Sequence, residues 1–149
     1  MTSTREYPDR PIIGVGGVII SSDRVLLTKR GQPPLEGQWS IPGGILEPGE
    51  TLREAVHREL AEETGVEVEV LDLIEIVERI SHDNRGRVQY HFVIFDYFCA
   101  LVRGEPRAAT DVVDVAWAGE RDLTRYSLTP VATRVIQKAF TMARTRTAV

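Results

Sequence analysis

The stretch that decides the fold runs from Gly43 to Val66 and reads GGILEPGETLREAVHRELAEETGV. It opens as a glycine-rich loop, and a capping-box pattern follows, in which Thr51 stands three residues before Glu54. Gly65 stands where a helix commonly ends on a left-handed residue. The pattern therefore predicts a loop that leads into a helix over residues 52–64.

Three carboxylates share one stripe of this predicted helix, because Glu59, Glu62 and Glu63 stand at positions i, i+3 and i+4. Like charges at this spacing repel one another. Keeping three of them together therefore favours a bound cation, and hard carboxylate oxygens select Mg²⁺ or Mn²⁺ rather than zinc. A solvated acidic helix face is the alternative interpretation of the same stripe.

The spacing of the whole stretch favours the first interpretation. Gly44, Glu50 and the segment RELAEETGV at residues 58–66 match every defining position of the signature box of the Nudix hydrolases, which this stretch resembles. The resemblance implies an enzyme that hydrolyses the phosphoanhydride of a nucleoside diphosphate linked to another group. A non-catalytic ligand-binding module on the same fold is the alternative, and the intact box favours the enzyme.

The resemblance also implies which residues bind the metal. The expected ligands are Glu59, Glu62, Glu63 and the carbonyl oxygen of Gly43, and two of them, Glu59 and Glu62, are also candidate catalytic residues. With Mg²⁺ or Mn²⁺ bound, such a site neutralises phosphate charge and lowers the pKa of an attacking water.

Two further residues of the box are expected to support the site rather than react. Glu50 is predicted to pair with Arg58 and so hold the loop against the helix, which orients the metal ligands.

The general base is either a glutamate of the box or an acidic residue on a later loop. Asp111 is the first candidate there, because family members often carry an acidic residue in this region, and Asp114 is the second. Asp83 and His82, in a polar turn, are the remaining alternatives.

Substrate contacts are predicted at Arg30, Trp39 and Gly44. Arg30 ends a strand close to the box loop and resembles an arginine frequent at this place in the family, where it suits a phosphate. Trp39 either stacks on a base or packs beneath the loop, and the packing interpretation is favoured.

The order of periodic segments predicts one domain over residues 1–149, with residues 1–9 flexible. A strand hairpin, a short strand, the helix of the box, a second and longer hairpin, a last strand, a short helical turn and a second helix capped by Thr129 are expected in that order. The predicted strands and the turn cover residues 12–20, 24–30, 67–80, 88–102, 112–117 and 120–123. This order predicts a three-layer α/β/α sandwich with a mixed β-sheet, as in the Nudix fold.

Composition limits the partners. A net charge of −4 gives no general attraction to nucleic acid or membranes, so a small-molecule nucleoside diphosphate derivative is the expected partner. The single cysteine, Cys99, is predicted to be a buried strand residue. No apolar run reaches membrane-spanning length, which makes the cytoplasm the expected compartment. The resemblance to the Nudix hydrolases also suggests a homodimer, which the sequence alone does not decide.

Substrate choice is the least constrained feature. ADP-ribose or a related nucleotide sugar is favoured, because the residues before the box and the segment 126–130 resemble small ADP-ribose pyrophosphatases. The proline that usually marks that activity shortly after the box is absent, and Ser81 and His82 stand in its region. A MutT-like pyrophosphohydrolase of oxidised nucleoside triphosphates is the alternative, and a dinucleoside polyphosphate hydrolase is third.

Overall fold

The fold is described from a computed structural model, which covers residues 5–32 and 36–147. The first four residues of the segment predicted to be flexible lie outside the described residues. The elements, in chain order, are β1 (Ile12–Ser21), β2 (Arg24–Arg30), β3 (Trp39–Ser40), β4 (Gly43–Ile45), α1 (Leu52–Thr64), β5 (Glu67–His82), β6 (Val88–Arg103), β7 (Val112–Gly119), a 3-10 helix (Glu120–Tyr126) and α2 (Pro130–Thr147).

The strands form one mixed sheet of seven, in the order β3-β2-β1-β6-β5, with β4 also paired to β1 and β7 to β2. β1 runs parallel to β6, whereas its pairing with β2 and the β5–β6 pairing are antiparallel. Both predicted hairpins are therefore confirmed. The first turns through Ser22 and Asp23, whose φ angles of 50° and 61° suit a tight two-residue hairpin turn.

One helix covers each face of the sheet, which confirms the three-layer prediction. Alternate residues of β1 point to opposite faces. Val15 and Ile19 share a buried cluster with Leu60 of α1, whereas Val18 shares another with Ile136 of α2. No helix in the described part of the chain is both long and apolar enough to cross a membrane.

The helix ends follow the sequence signals. The capping box of α1 is complete, because the Glu54 amide donates to Thr51 Oγ1 at 3.1 Å and the Thr51 amide donates to the Glu54 carboxylate at 2.8 Å. Gly65 ends α1 with a φ of 75°. At the start of α2, Thr129 Oγ1 accepts from the amide of Ala132 at 3.1 Å. The predicted bounds of α1 are confirmed.

Strand β4 corrects the prediction of a loop at residues 43–45. Gly43 and Gly44 pair with Gly16 and Val15 of β1. A Cβ atom on Gly43 would lie against the Val15 carbonyl oxygen, so β4 can approach β1 this closely only because Gly43 has no side chain. Glycine is depleted in strands, and the local sequence therefore indicated a loop.

Asp96 and Cys99 of β6 are both buried. Cys99 is fully buried, as predicted, and burial raises the pKa of its thiol to about 12. Asp96 is only 6% exposed, and the structure gives its carboxyl no hydrogen bond to any described residue. Burial raises the pKa of Asp96 from its ordinary 3.8 to about 7, and the neighbouring Glu75 carboxylate adds to this rise.

We expect the ionisation of Asp96 to oppose folding. Its pKa is higher in the folded chain, so the folded state binds more protons and loses stability as the pH rises from about 4 to about 7. Asp96→Asn should therefore raise the free energy of unfolding at pH 8 by about 1–3 kcal/mol, and by less and less as the pH falls towards 4.

Urea unfolding at both pH values measures this effect. Glu75→Gln is the control, because its carboxylate is paired with Arg134 and Lys138 and its loss should not stabilise the chain at pH 8. An Asp96→Asn variant no more stable than the parent at pH 8 would contradict the prediction.

Candidate active site

A cleft of about 300 Å³ lies where β2, β4, α1 and the segment before β7 meet. It brings together most of the residues that the sequence singled out: Arg30, Gly43, Gly44, Glu59, Glu62, Glu63 and Asp111. It is also lined by residues that the sequence did not indicate: Arg5, Thr28, Ser40, Ile41, Thr110 and Val112.

The guanidinium of Arg58 fastens the loop before α1 to the helix. Its Nε and Nη2 donate to the two carboxylate oxygens of Glu50 at 2.5 and 2.8 Å, and Nη2 also donates to the Ile45 carbonyl at 3.1 Å. These hydrogen bonds lower the pKa of Glu50 to about 2 and raise the pKa of Arg58. Both groups therefore stay charged, and the pair has the geometry that the sequence suggested.

The same guanidinium also contacts the acidic stripe of α1. Arg58 Nη1 donates to Glu59 Oε1 at 2.7 Å and to Glu62 Oε2 at 3.3 Å. One positive charge thus offsets part of the repulsion among the three carboxylates.

The remaining carboxylate of the stripe, Glu63, lies deeper in the protein. Burial raises the pKa of Glu63 to about 7, although the amide of Gly43 donates to its Oε1 at 3.0 Å. Burial also raises the pKa of Glu59, whose carboxylate occupies the space that a side chain on Gly44 would fill. Desolvated carboxylates such as these gain from a nearby cation.

Arg30 also lines the cleft and brings positive charge to it. Its Nε is buried and has no hydrogen-bond partner within the described ranges. Burial lowers the pKa of Arg30, whereas the carboxylates of Glu63 and Asp111 act in the opposite direction. An unsatisfied buried donor costs free energy, and an anionic oxygen in the cleft would satisfy it.

Backbone hydrogen bonds bring Asp111 to the cleft. The amides of Arg107 and Ala109 donate to the Thr64 and Glu63 carbonyls at 2.9 and 3.1 Å, which satisfies the open C-terminal end of α1. The Gly31 amide then donates to the Asp111 carbonyl at 2.7 Å. The loop after β6 is therefore attached to the helix that carries the carboxylates.

The alternative candidates for the general base do not line the cleft. Asp114 lies on β7 opposite Lys29, and its carboxylate accepts from the Val115 amide at 2.8 Å. Asp83 stabilises the β5–β6 turn, where it accepts hydrogen bonds from Arg87 and from the Tyr7 hydroxyl. His82 ends β5 beside this turn.

Trp39, a predicted substrate contact, also lies outside the cleft. Its ring meets Tyr126 edge-on, with 5.2 Å between the centroids, and packs on the cluster beneath α2. It borders a separate hollow of about 370 Å³ with Tyr126 and Arg125. This is the arrangement that the packing interpretation predicts.

Thr28 and Arg5 line the cleft although the sequence analysis did not name them, and only Thr28 could have been predicted. Thr28 stands two residues before Arg30 and so shares its strand face, which the alternation of β2 could have shown. Arg5 gives no such signal. It reaches the cleft because the Tyr7 amide donates to the Gln89 carbonyl at 2.7 Å, which holds the N-terminal segment on the second hairpin.

The donor set fits a divalent cation. Glu59, Glu62 and Glu63 offer hard carboxylate oxygens to one cleft, and two of them are desolvated. Within residues 5–32 and 36–146, no group of three aspartate, glutamate, histidine or cysteine side chains is arranged closely enough to hold a metal ion. Arg58 instead occupies oxygens of Glu59 and Glu62.

Comparison with known proteins extends these observations. The chain is 36% identical over 101 residues to an ADP-ribose pyrophosphatase of Methanocaldococcus jannaschii, a match that covers 68% of this chain but only 57% of that protein. It is 37% identical over 116 residues to the putative 8-oxo-dGTP diphosphatase 2 of Mycobacterium tuberculosis, covering 70% of this chain and 79% of the relative.

A solved structure gives the same result for the fold. The MutT NUDIX hydrolase of Burkholderia pseudomallei superposes with a TM-score of 0.77 at 30% identity, over 87% of this chain and 98% of that one. The family model of the NUDIX domain matches residues 10–139, which is most of the sequence. The chain therefore belongs to the Nudix hydrolase family.

Proposed function

We propose that this protein is a divalent-metal-dependent pyrophosphohydrolase that cleaves the phosphoanhydride of a nucleoside diphosphate derivative. One observation supports the proposal: the carboxylates of Glu59, Glu62 and Glu63 line the same cleft as Arg30, whose buried Nε has no partner among the described residues. Carboxylates suit the metal, and an arginine donor suits a phosphate oxygen.

Each residue then has a distinct part in the reaction. The three glutamates and the Gly43 carbonyl hold Mg²⁺ or Mn²⁺, which supplies charge neutralisation and an activated water when bound. Arg30 binds a phosphate oxygen, and Gly44, having no side chain, lets the phosphates approach the helix. Asp111 takes the proton from the attacking water. The Glu50–Arg58 pair holds the loop before α1 against the helix.

ADP-ribose or a related nucleotide sugar is the proposed substrate. The likeness to the archaeal ADP-ribose pyrophosphatase supports it. The likeness to the mycobacterial 8-oxo-dGTP diphosphatase supports the alternative, an oxidised nucleoside triphosphate. Homodimerisation and a cytoplasmic location stay predictions.

A substrate screen should separate these alternatives. With Mg²⁺, we expect the highest kcat/KM on ADP-ribose, with AMP and ribose 5-phosphate as products, and lower values on 8-oxo-dGTP and diadenosine polyphosphates. Phosphate released by alkaline phosphatase measures the products of ADP-ribose and of diadenosine polyphosphates, and phosphate released by inorganic pyrophosphatase measures the diphosphate formed from 8-oxo-dGTP. Turnover of none of them would favour the ligand-binding module over the enzyme.

Removing one metal ligand should abolish most of the activity. We expect Glu63→Gln to lower kcat at saturating Mg²⁺ by at least about 100-fold, because a neutral amide holds the cation weakly. EDTA should have the same effect on the parent. Glu69→Gln, an exposed glutamate on β5, is the matched control and should keep full activity. Intact turnover in Glu63→Gln would overturn the metal site.

The two aspartates near β7 offer a paired test of the general base. Asp111→Asn should lower kcat by about 10²–10⁴-fold. Asp114→Asn should leave kcat unchanged, because the Asp114 carboxylate lies outside the cleft on β7. If the two variants behave alike, Asp111 is not the base and a box glutamate takes that role.

A further inference from the structure

The chain before β1 is fastened to the end of the second hairpin. Residues 5–10 form an N-terminal segment that contacts this hairpin through Tyr7. The Tyr7 amide donates to the Gln89 carbonyl at 2.7 Å, and the Tyr7 hydroxyl donates to Asp83 Oδ2 at 2.9 Å. The guanidinium of Arg87 lies 4.8 Å from the centre of the Tyr7 ring. These contacts hold the segment on the sheet although it forms no strand.

Tyr7 also bends the N-terminal segment. Its φ angle of 51° lies in the left-handed region, which a bulky residue rarely adopts because this conformation costs free energy. A neighbouring side-chain contact supports the bend, since Gln89 Nε2 donates to the Glu6 carboxylate at 2.9 Å. The fold therefore keeps a strained residue in place, and the bend determines where Arg5, two residues earlier, lies.

Arg5 lines the carboxylate cleft, and its positive charge acts on two other groups there. It adds to the effect of burial, which lowers the pKa of Arg30, and it opposes the effect of burial, which raises the pKa of Glu59. The Arg5 side chain is exposed and makes no hydrogen bond or ion pair with the residues that the structure describes. Its guanidinium is therefore available to a ligand in the cleft.

The cleft thus contains two guanidinium groups with donors to spare. Arg30 Nε is buried without a partner in the described part of the chain, and Arg5 is unpaired there as well. Two like charges in one cleft repel each other, and Glu63 and Asp111 do not fully offset the lowering of the Arg30 pKa. An anion with charge on two neighbouring centres would satisfy both guanidinium groups, and a diphosphate is such an anion.

We propose that Arg5 binds the diphosphate of the substrate together with Arg30, each guanidinium donating to oxygens of one phosphate. The inference rests on the proposed function and deepens it, because it adds a second phosphate-binding residue and makes the N-terminal segment part of the substrate site. Arg5 donates to none of the groups assigned to the metal or to proton transfer. It should therefore strengthen substrate binding more than it changes the chemical step.

A pair of arginine variants in the N-terminal segment tests this role. Arg5→Gln should raise KM for ADP-ribose by at least about fivefold and change kcat by less than about threefold, because it removes a charge-assisted contact to the bound substrate. Arg10→Gln is the matched control and should leave both constants unchanged. The Arg10 side chain is 82% exposed, lies 3.7 Å from the carboxylate of its neighbour Asp9, and does not line the cleft.

A double variant tests whether Tyr7 positions Arg5. Tyr7→Ala should raise KM by itself, but it should add nothing in the Arg5→Gln background, because the guanidinium that Tyr7 positions is then absent. Thermal unfolding of each variant shows that it is folded. Additive effects of the two substitutions on KM would overturn the positioning role of Tyr7.

A binding measurement separates this inference from the proposed function. The probe is an ADP-ribose analogue with a methylene group in place of the bridging oxygen, titrated calorimetrically with Mg²⁺ present. We expect Arg5→Gln to weaken its Kd by at least about fivefold and Arg10→Gln to leave it unchanged. An unchanged Kd and KM in folded Arg5→Gln would overturn the inference while leaving the hydrolase activity standing.

Two further outcomes are decisive. If Arg5 only offsets the charge of Glu59, Arg5→Gln should lower the Mg²⁺ concentration that gives half-maximal activity and leave KM for ADP-ribose unchanged, which would overturn the phosphate contact. A parent chain that binds the analogue through Arg5 but hydrolyses none of the screened nucleotides would instead overturn the proposed function and support the contact.

Discussion

The guanidinium of Arg58 donates hydrogen bonds to the Glu50 carboxylate, to the Ile45 carbonyl and to the carboxylates of Glu59 and Glu62. The loop, the helix and the acidic stripe are thereby held by a single planar group. Because a guanidinium has five N–H donors in a fixed plane, it can satisfy these acceptors at once, which a lysine cannot do. The arrangement of the cleft depends on this one residue.

The geometry of the site also depends on the close approach of strand β4 to strand β1. Gly43 and Gly16 let β4 lie against β1, and the Gly43 amide then donates to Glu63. The Glu63 carboxylate is mostly buried there, which raises its pKa to about 7. The chain thus keeps an acidic group where its charge opposes folding, as is common where binding or catalysis requires it.

Most of the fold was predictable because its signals are local. The caps of α1, the periodicity of the two hairpins and the buried position of Cys99 follow from neighbouring residues, and each was confirmed. Strand β4 was missed, because it consists largely of glycine and owes its extended form to pairing with β1. The true ends of β5 and β7, at His82 and Gly119, likewise extend beyond the predicted ones through pairing with neighbouring strands.

The sequence by itself determined the carboxylate stripe and the family, because a helix places residues three and four apart on one face whatever surrounds it. Only the tertiary structure decided what stands opposite that stripe. Arg5 and Asp111 reach the cleft through backbone hydrogen bonds between distant segments, and Trp39 is kept out of it by packing against Tyr126. Asp96 becomes buried in the same way, since its neighbours come from β1, from β5 and from Ile41 between β3 and β4, and no local pattern encodes them.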